Sequence, residues 1–269
     1  MFLALLLGYN SEEQLLNDSS LSVRPSSIFS ANMSSMHPTV QYEQGLLFAD
    51  NMPAKAQAYD KRNAPAFLRN QFSGSGKYEI PLIRKESIDL ANIGLIACTN
   101  TCPDDQEYFD YGVHFFVDDY DFGCPYENPE KTFAIYSQYR FCLTPDYSVY
   151  AEMPTWRQIE SVAHSRWCGA WWQSHGMKVI PTLSWDRYPS YEYCFEGIEP
   201  ESTVAIATYA CRQAKATFLR GYDAILERIN PKEIICYGIP LQGMRGNIIP
   251  VSVCHPRQFH RELKRKKRA

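Results

Sequence analysis

The sequence predicts an α/β protein with a mostly parallel sheet of about six strands, formed from βαβ units. From Tyr78 onward, short apolar runs of β type alternate with helical stretches, and each run ends in polar or turn residues. This alternation favours a parallel sheet, because each helix carries the chain back across the sheet before the next strand. Both an incomplete barrel and an open doubly wound sheet satisfy the pattern.

The first 76 residues predict an irregular N-terminal arm. Serines and prolines interrupt this stretch, it sustains no hydrophobic period, and a Ser-Gly-Ser-Gly segment closes it at residues 73–76. Such a composition is typical of extended or flexible chain. We therefore divide the chain into an arm at 1–76, an α/β domain at 77–256 and a basic tail at 257–269.

The strands are predicted from apolar runs. The later runs are apolar on successive residues, which is typical of strands buried on both faces of a sheet. The six runs lie at 93–98, 113–117, 141–143, 178–183, 203–208 and 233–237, and a seventh at 247–253 follows a glycine-rich loop.

Two helices between these runs have clear hydrophobic periods. In the first, apolar residues recur at spacings of three and four between Pro154 and Gly176, which suit the start and the end of a helix. In the second, an apolar stripe runs from Ala214 to Ile229 and ends before a proline. A weaker helix is predicted at 129–138, between the second and third strands.

The cysteine pattern predicts a cytoplasmic protein with reduced thiols. Nine cysteines are an odd number, and several lie in apolar runs, where a thiol behaves as a small hydrophobic group. The apolar start of the chain is seven residues long and lacks a basic region, so we expect neither a signal peptide nor a membrane association. Although Cys98, Cys102, Cys124 and His114 are residue types that bind zinc, we expect no zinc and no structural disulfide.

Charge is unevenly distributed along the chain. The formal net charge is −3, and the tail from Arg257 onward contributes +6 through seven basic residues and Glu262. Residues 1–256 therefore carry −9, an acidic body that does not suit a dedicated DNA-binding domain. The tail is either a solvated terminus or a weak contact for nucleic-acid phosphates.

Polar and aromatic residues follow most of the predicted strands. Ligands of parallel α/β folds bind where the carboxyl ends of the strands converge. Carboxylates near aromatic rings suit acid–base chemistry on a sugar or a nucleotide, or a divalent metal. Aspartate is also a common helix cap and turn residue, which is a purely structural alternative. The predicted catalytic residues are Asp118, Asp146 and Asp186, and the predicted ligand-binding residues are Ser184, Trp185, Arg187, Tyr209, Arg212 and Tyr237.

Four segments, taken in order, resemble domain-of-unknown-function family 4417, and the resemblance extends from about Tyr78 to Val253. Members of this family occur in Firmicutes and in their phages and mobile elements. The resemblance therefore implies an intracellular protein of bacterial or phage origin, and it implies no catalytic residue. The segments are LTPDYSVYAEMP at 143–154, GMKVIPTLSW at 176–185, FEGI at 195–198 and IICYG at 234–238.

The leading functional hypothesis is a hydrolase or transferase that acts on a nucleotide or sugar-like ligand. In it the aspartates are acid–base or metal-binding groups, Arg187 and Arg212 bind an anion, and Trp185 and Tyr209 stack on the ligand. A non-catalytic phage or mobile-element protein that binds a host protein or a signalling nucleotide is the first alternative. A nucleic-acid-associated factor that uses the basic tail is the second. Nucleophile-elbow, phosphate-loop and dinucleotide motifs are absent from the sequence.

Overall fold

The computed structural model of the protein describes residues 60–103, 105–122, 125–209, 211 and 214–253. The chain divides into a unit at Met1–Asp60 and a unit at Lys61–Ala269, and the described strands all lie in the second unit. Most of the predicted arm and the whole of the basic tail lie outside the described residues.

The described part of the predicted arm packs on the domain. Helix α1 (Pro65–Leu68) is followed by strands β1 (Gly74–Ser75) and β2 (Ile80–Pro81), which pair antiparallel. The guanidinium of Arg69 lies 4.1 Å from the ring centroid of Trp167, a cation–π contact. The hydroxyl of Ser75 donates a hydrogen bond of 2.6 Å to Glu196. These contacts attach the segment before residue 76 to the rest of the second unit.

Seven parallel strands among the described residues form the centre of the domain, and the predicted α/β class with a mostly parallel sheet is confirmed. Within each set, every strand pairs with the next strand in the sequence, which gives the orders β3-β4-β5-β6 and β7-β8-β9. The strands are β3 (Leu95–Ala97), β4 (Gly112–His114), β5 (Phe141–Leu143), β6 (Val179–Ile180), β7 (Val204–Ala207), β8 (Ile234–Tyr237) and β9 (Ile248–Val251).

The strands curl around a shared interior. A parallel bridge between Thr182 and Ala205 joins the two sets of strands. The ring of His114, in β4, lies 4.5 Å from the ring of Tyr237, in β8. In a flat sheet these strands, four positions apart, would be separated by about 19 Å. The sheet is therefore an incomplete barrel, and β3 and β9 do not pair within the described residues.

Helices cover the outside of this barrel. The long helix α3 (Thr155–Ser174) buries twelve of its 20 residues, and the missing side chain of Gly169 lets it approach Thr144 beside β5. No helix of the described residues has the length and apolar character needed to cross a bilayer. After a 3-10 turn at Cys98–Asn100, the helices are α2 (Pro129–Tyr136), α3 (Thr155–Ser174), α4 (Tyr191–Cys194) and α5 (Lys215–Arg228).

Candidate functional site

A cavity of about 220 Å³ lies at the carboxyl ends of β4, β5, β6 and β7. Each strand contributes residues from the loop that follows it, as expected where parallel strands converge on one edge. The lining residues are Val117, Asp118, Asp119, Asp146, Ser148, Val149, Tyr150, Leu183, Ser184, Trp185, Ala207, Tyr209, Cys211 and Phe218. We call this space the acidic cavity.

The acidic cavity brings together five of the residues that the sequence singles out. They come from four successive loops, although nothing local in the sequence connects them. Their catalytic and binding roles stay predictions. The five are Asp118, Asp146, Ser184, Trp185 and Tyr209.

Three other predicted residues do not line this cavity. Asp186 forms an ion pair of 3.6 Å with its neighbour Arg187, whose side chain is 68% exposed. Tyr237 is 3% exposed inside the barrel, where its ring stacks on Phe116 at 4.9 Å. The remaining predicted anion-binding residue, Arg212, lies outside the described residues.

Asp146 has the most unusual environment in the cavity. The pKa of its carboxyl is raised to about 7, mainly by burial and also by the Asp119 carboxylate, while a hydrogen bond from Ser184 and the charge of Arg166 oppose the rise. Its Oδ1 is buried and has no hydrogen-bond partner in the described residues. Asp146 is not a helix cap, because α3 begins at Thr155 and its N-cap makes no side-chain hydrogen bond. The carboxyl can therefore exchange a proton near neutral pH.

Asp119 is held by the loop that follows β5. Its Oδ1 accepts a hydrogen bond of 2.8 Å from the hydroxyl of Ser148, and its Oδ2 accepts one of 3.1 Å from the backbone N–H of the same residue. The hydroxyl of Tyr150 lies 3.0 Å from that of Ser148. Both oxygens of Asp119 are thus engaged, which fixes a negative charge beside Asp146.

A buried polar network joins the two loops that carry Asp146 and Ser184. The Oγ1 of Thr144 accepts a hydrogen bond of 2.9 Å from the backbone N–H of Thr182, whose own hydroxyl donates one of 2.8 Å to the Thr144 carbonyl. Arg166 donates to the Thr182 carbonyl at 2.9 Å. Each threonine precedes its site residue by two positions, so the network sets the spacing between the carboxyl and the hydroxyl.

Each guanidinium nitrogen of Arg166 donates a hydrogen bond to a backbone carbonyl. Besides the Thr182 carbonyl, the acceptors are the carbonyls of Cys194 at 3.0 Å and Glu196 at 3.2 Å. Burial lowers its pKa to about 10, and the charge of Asp146 opposes that shift. The guanidinium acts on Asp146 through space, and no hydrogen bond joins the two groups among the described contacts.

The aromatic walls of the cavity are positioned by packing. The indole of Trp185 packs against Phe218 of α5, with ring centroids 4.8 Å apart, and a Cβ on Gly221 would overlap it. The ring of Tyr209 is 51% exposed and meets Tyr237 edge-on at 6.1 Å. Burial and the charges of Asp146 and Asp118 raise the pKa of Tyr209, which keeps its phenol protonated.

Several lining residues were missed by the sequence reasoning. Cys211 lines the cavity as a thiol, because burial and then the Asp146 charge raise its pKa. Its position two residues after Tyr209, in a loop that follows a strand, was an available signal. Tyr150 and Phe218 have no such signal, since Tyr150 lies seven residues beyond β5 and Phe218 belongs to the apolar stripe of α5. The seven described cysteines are free, and Cys124 lies outside the described residues.

Fold and site together define an α/β protein with an incomplete parallel barrel and a carboxylate- and aromatic-lined cavity at the strand ends. The chain belongs to the family of the domain of unknown function DUF4417, whose model matches residues 72–253, and the resemblance predicted from the sequence is confirmed.

The relatives are phage proteins. The "Gene 1 protein" of Mycobacterium phage D29 and that of Mycobacterium phage L5 are each 37% identical to the chain over 177 residues. The match covers 64% of this chain, 64% of the D29 protein and 76% of the L5 protein, so the chain spans less than two thirds of the D29 relative. No solved structure matches the chain.

Proposed function

We propose that the domain is a hydrolase or transferase that acts on an uncharged, sugar-like ligand in the acidic cavity. The observation that carries this proposal is the carboxyl of Asp146: its pKa is about 7, its buried Oδ1 has no hydrogen-bond partner among the described residues, and the carboxyl accepts a hydrogen bond from Ser184. A carboxyl that is protonated in part near neutral pH suits a general acid that donates to a leaving oxygen.

The charge of the acidic cavity favours a sugar over a nucleotide. Three aspartates line it, and none of its described lining residues is a lysine or an arginine. Carboxylates repel phosphate groups, whereas a carbohydrate offers hydroxyls that carboxylates accept and apolar faces that aromatic rings contact. Arg187 lies outside this cavity's lining, so the described lining supplies no cationic side chain to bind an anion.

The remaining side chains have complementary roles in this proposal. Asp118, which is exposed at the rim, is the second carboxylate that activates water or attacks the sugar. Ser184 orients the carboxyl of Asp146, and the rings of Trp185 and Tyr209 contact the sugar faces. The described residues contain no group of three His, Cys, Asp or Glu side chains suited to a metal, so we assign no step to a metal ion.

The test is hydrolysis of a panel of methyl glycosides by the full chain, because their alkoxide leaving group departs only when an acid protonates it. We expect Asp146→Asn to lower kcat at least 100-fold with the fold intact, since an amide cannot transfer the proton. Asp223→Asn is the matched control, because Asp223 pairs with Arg245 on the surface of α5, away from the lining. Equal rates for both variants, or no turnover of any glycoside by the unaltered protein, would contradict the proposal.

A non-catalytic phage or mobile-element protein that binds a host protein is the second candidate. It is favoured by exposed aromatic side chains in the loops after β4, β5 and β6 and in the first turn of α3, a composition typical of protein interfaces. They are Tyr120 at 99%, Tyr150 at 59%, Trp156 at 67% and Tyr188 at 67% exposure. The test is a double variant, Tyr120→Ser with Tyr188→Ser. If it loses the host partner and still turns over glycosides normally, the two functions belong to separate surfaces.

Three further predictions from the sequence stand beside this proposal. The cytoplasmic location rests on the cysteine pattern of the sequence, and a bound signalling nucleotide belongs to the alternative of a non-catalytic binding protein. If the basic tail makes a weak contact with nucleic acid, the affinity of this contact should fall steeply with added salt, as electrostatic binding does.

A further inference from the structure

A second cavity of about 770 Å³ opens at the carboxyl ends of β7, β8 and β9. Its lining includes Ile239, Pro240, Pro250 and Val253, and every residue of its described lining is uncharged. It shares Tyr209 with the acidic cavity, so one ring contributes to the walls of both spaces. We call it the neutral cavity.

The geometry points to a second subsite: we propose that the neutral cavity binds the uncharged, largely apolar leaving group of a glycoside whose sugar occupies the acidic cavity. This inference rests on the proposed function and names the class of its substrate, which is a sugar joined to an aryl or similarly apolar group. A ligand that spans both cavities passes Tyr209, the residue that lines both.

Three hydroxyl-bearing residues line the neutral cavity, Thr208, Tyr209 and Ser252, and the other six described lining residues are glycine, proline, isoleucine or valine. The hydroxyl of Thr208 already donates a hydrogen bond of 3.0 Å to the carbonyl of Ile239. The side chain of Ile239 is 69% exposed, and burial of this surface by an apolar ligand is favourable. No lysine or arginine lies in the described lining, which disfavours a phosphate.

The shape of the neutral cavity depends on Gly238. Its φ of 117° belongs to a region that side chains rarely adopt, and a Cβ there would lie 2.7 Å from the Oγ1 of Thr208. The turn after β8 therefore stays close to Thr208 without a side chain, and it directs Ile239 to the lining of the cavity.

Paired ligands test the inference on the full chain. The probes are 4-nitrophenyl and methyl glycosides of the same sugars, with affinities measured by saturation-transfer NMR titration. We expect the aryl glycoside of the preferred sugar to bind about tenfold more tightly than the methyl glycoside, because its ring buries additional apolar surface. Free 4-nitrophenol should compete with the aryl glycoside and not with the methyl glycoside.

Two variants assign the effect to the neutral cavity. Ile239→Ser should reduce the aryl preference to about twofold and leave the affinity for the methyl glycoside unchanged. Trp156→Ser is the control, because Trp156 has almost the same exposure, 67%, and lines neither cavity. An equal affinity for aryl and methyl glycosides would overturn this inference alone, whereas a failure of both ligands to bind would overturn the proposed function as well.

Discussion

Replacement of Asp146 by asparagine should stabilise the protein at neutral pH while it removes the proposed acid–base group. The carboxyl has a pKa of about 7 in the folded protein, against an ordinary value of 3.8. A difference of this size corresponds to about 4 kcal/mol between the two protonation states. The ionised carboxyl is therefore a source of instability in the native state.

The sign of the pH dependence follows from proton binding. Between about pH 4 and pH 7 the folded protein holds a proton on Asp146 that the unfolded chain has lost, so the free energy of unfolding falls as the pH rises through this window. The asparagine variant has no such proton. Its advantage over the unaltered protein should be near zero below pH 4 and should reach about 4 kcal/mol above pH 7.

The assay is urea denaturation at pH values from 4 to 8, with the full chain, the Asp146→Asn variant and Asp223→Asn as control. Asp223 lies 3.2 Å from Arg245 at an exposed site, so its replacement should change the free energy of unfolding by less than about 1 kcal/mol at any pH. A loss of stability in Asp146→Asn that is the same at every pH would refute the reasoning. It would mean that Asp146 serves the native state as an ionised hydrogen-bond acceptor.

Three further predictions concern residues that support the site. The imidazole of His114, whose pKa burial lowers to about 3, should stay neutral at pH 5 in imidazole 15N spectra, and a midpoint near 6.5 would contradict this. Arg166→Met leaves three carbonyls without their donor and should lower the free energy of unfolding by roughly 3–5 kcal/mol in urea, whereas a loss below 1 kcal/mol would argue against the network. Gly221→Ala should displace Trp185 from α5, lower stability by about 1–3 kcal/mol and shift the tryptophan emission, and an unchanged spectrum would show that the helix gives way instead.

The strands and helices could be predicted because they depend on local patterns. The observed strand Phe141–Leu143 coincides with its apolar run, and the observed helix Thr155–Ser174 lies between the proline and the glycine that suit its ends. The curvature of the sheet could not be predicted. It depends on contacts such as that between His114 and Tyr237, which are distant in sequence and depend on how side chains fill the interior.

The candidate site was predictable only from the rule that ligands of parallel α/β folds bind at the carboxyl ends of the strands. The rule brings Asp118 and Asp146 to one cavity, and it misplaces Tyr237, the last residue of β8. Side chains alternate along a strand, so Tyr237 lies on the same face as Ile235, which is part of the interior cluster. Asp186 lies six residues beyond the end of β6, where the course of the loop decides the direction of the side chain.

The surroundings of Asp146 do not suit a carboxylate whose role is to stabilise the fold. Arg166 is a buried cation near this carboxyl, yet its donors go to the carbonyls of Thr182, Cys194 and Glu196. A direct ion pair would hold the pKa of Asp146 low and the charge fixed. Instead the carboxyl accepts a hydrogen bond from Ser184, faces the charge of Asp119, and finds no partner for Oδ1 within the part of the chain that the structure describes. These features destabilise the ionised form while they leave the proton exchangeable, which is the property that an acid–base group requires.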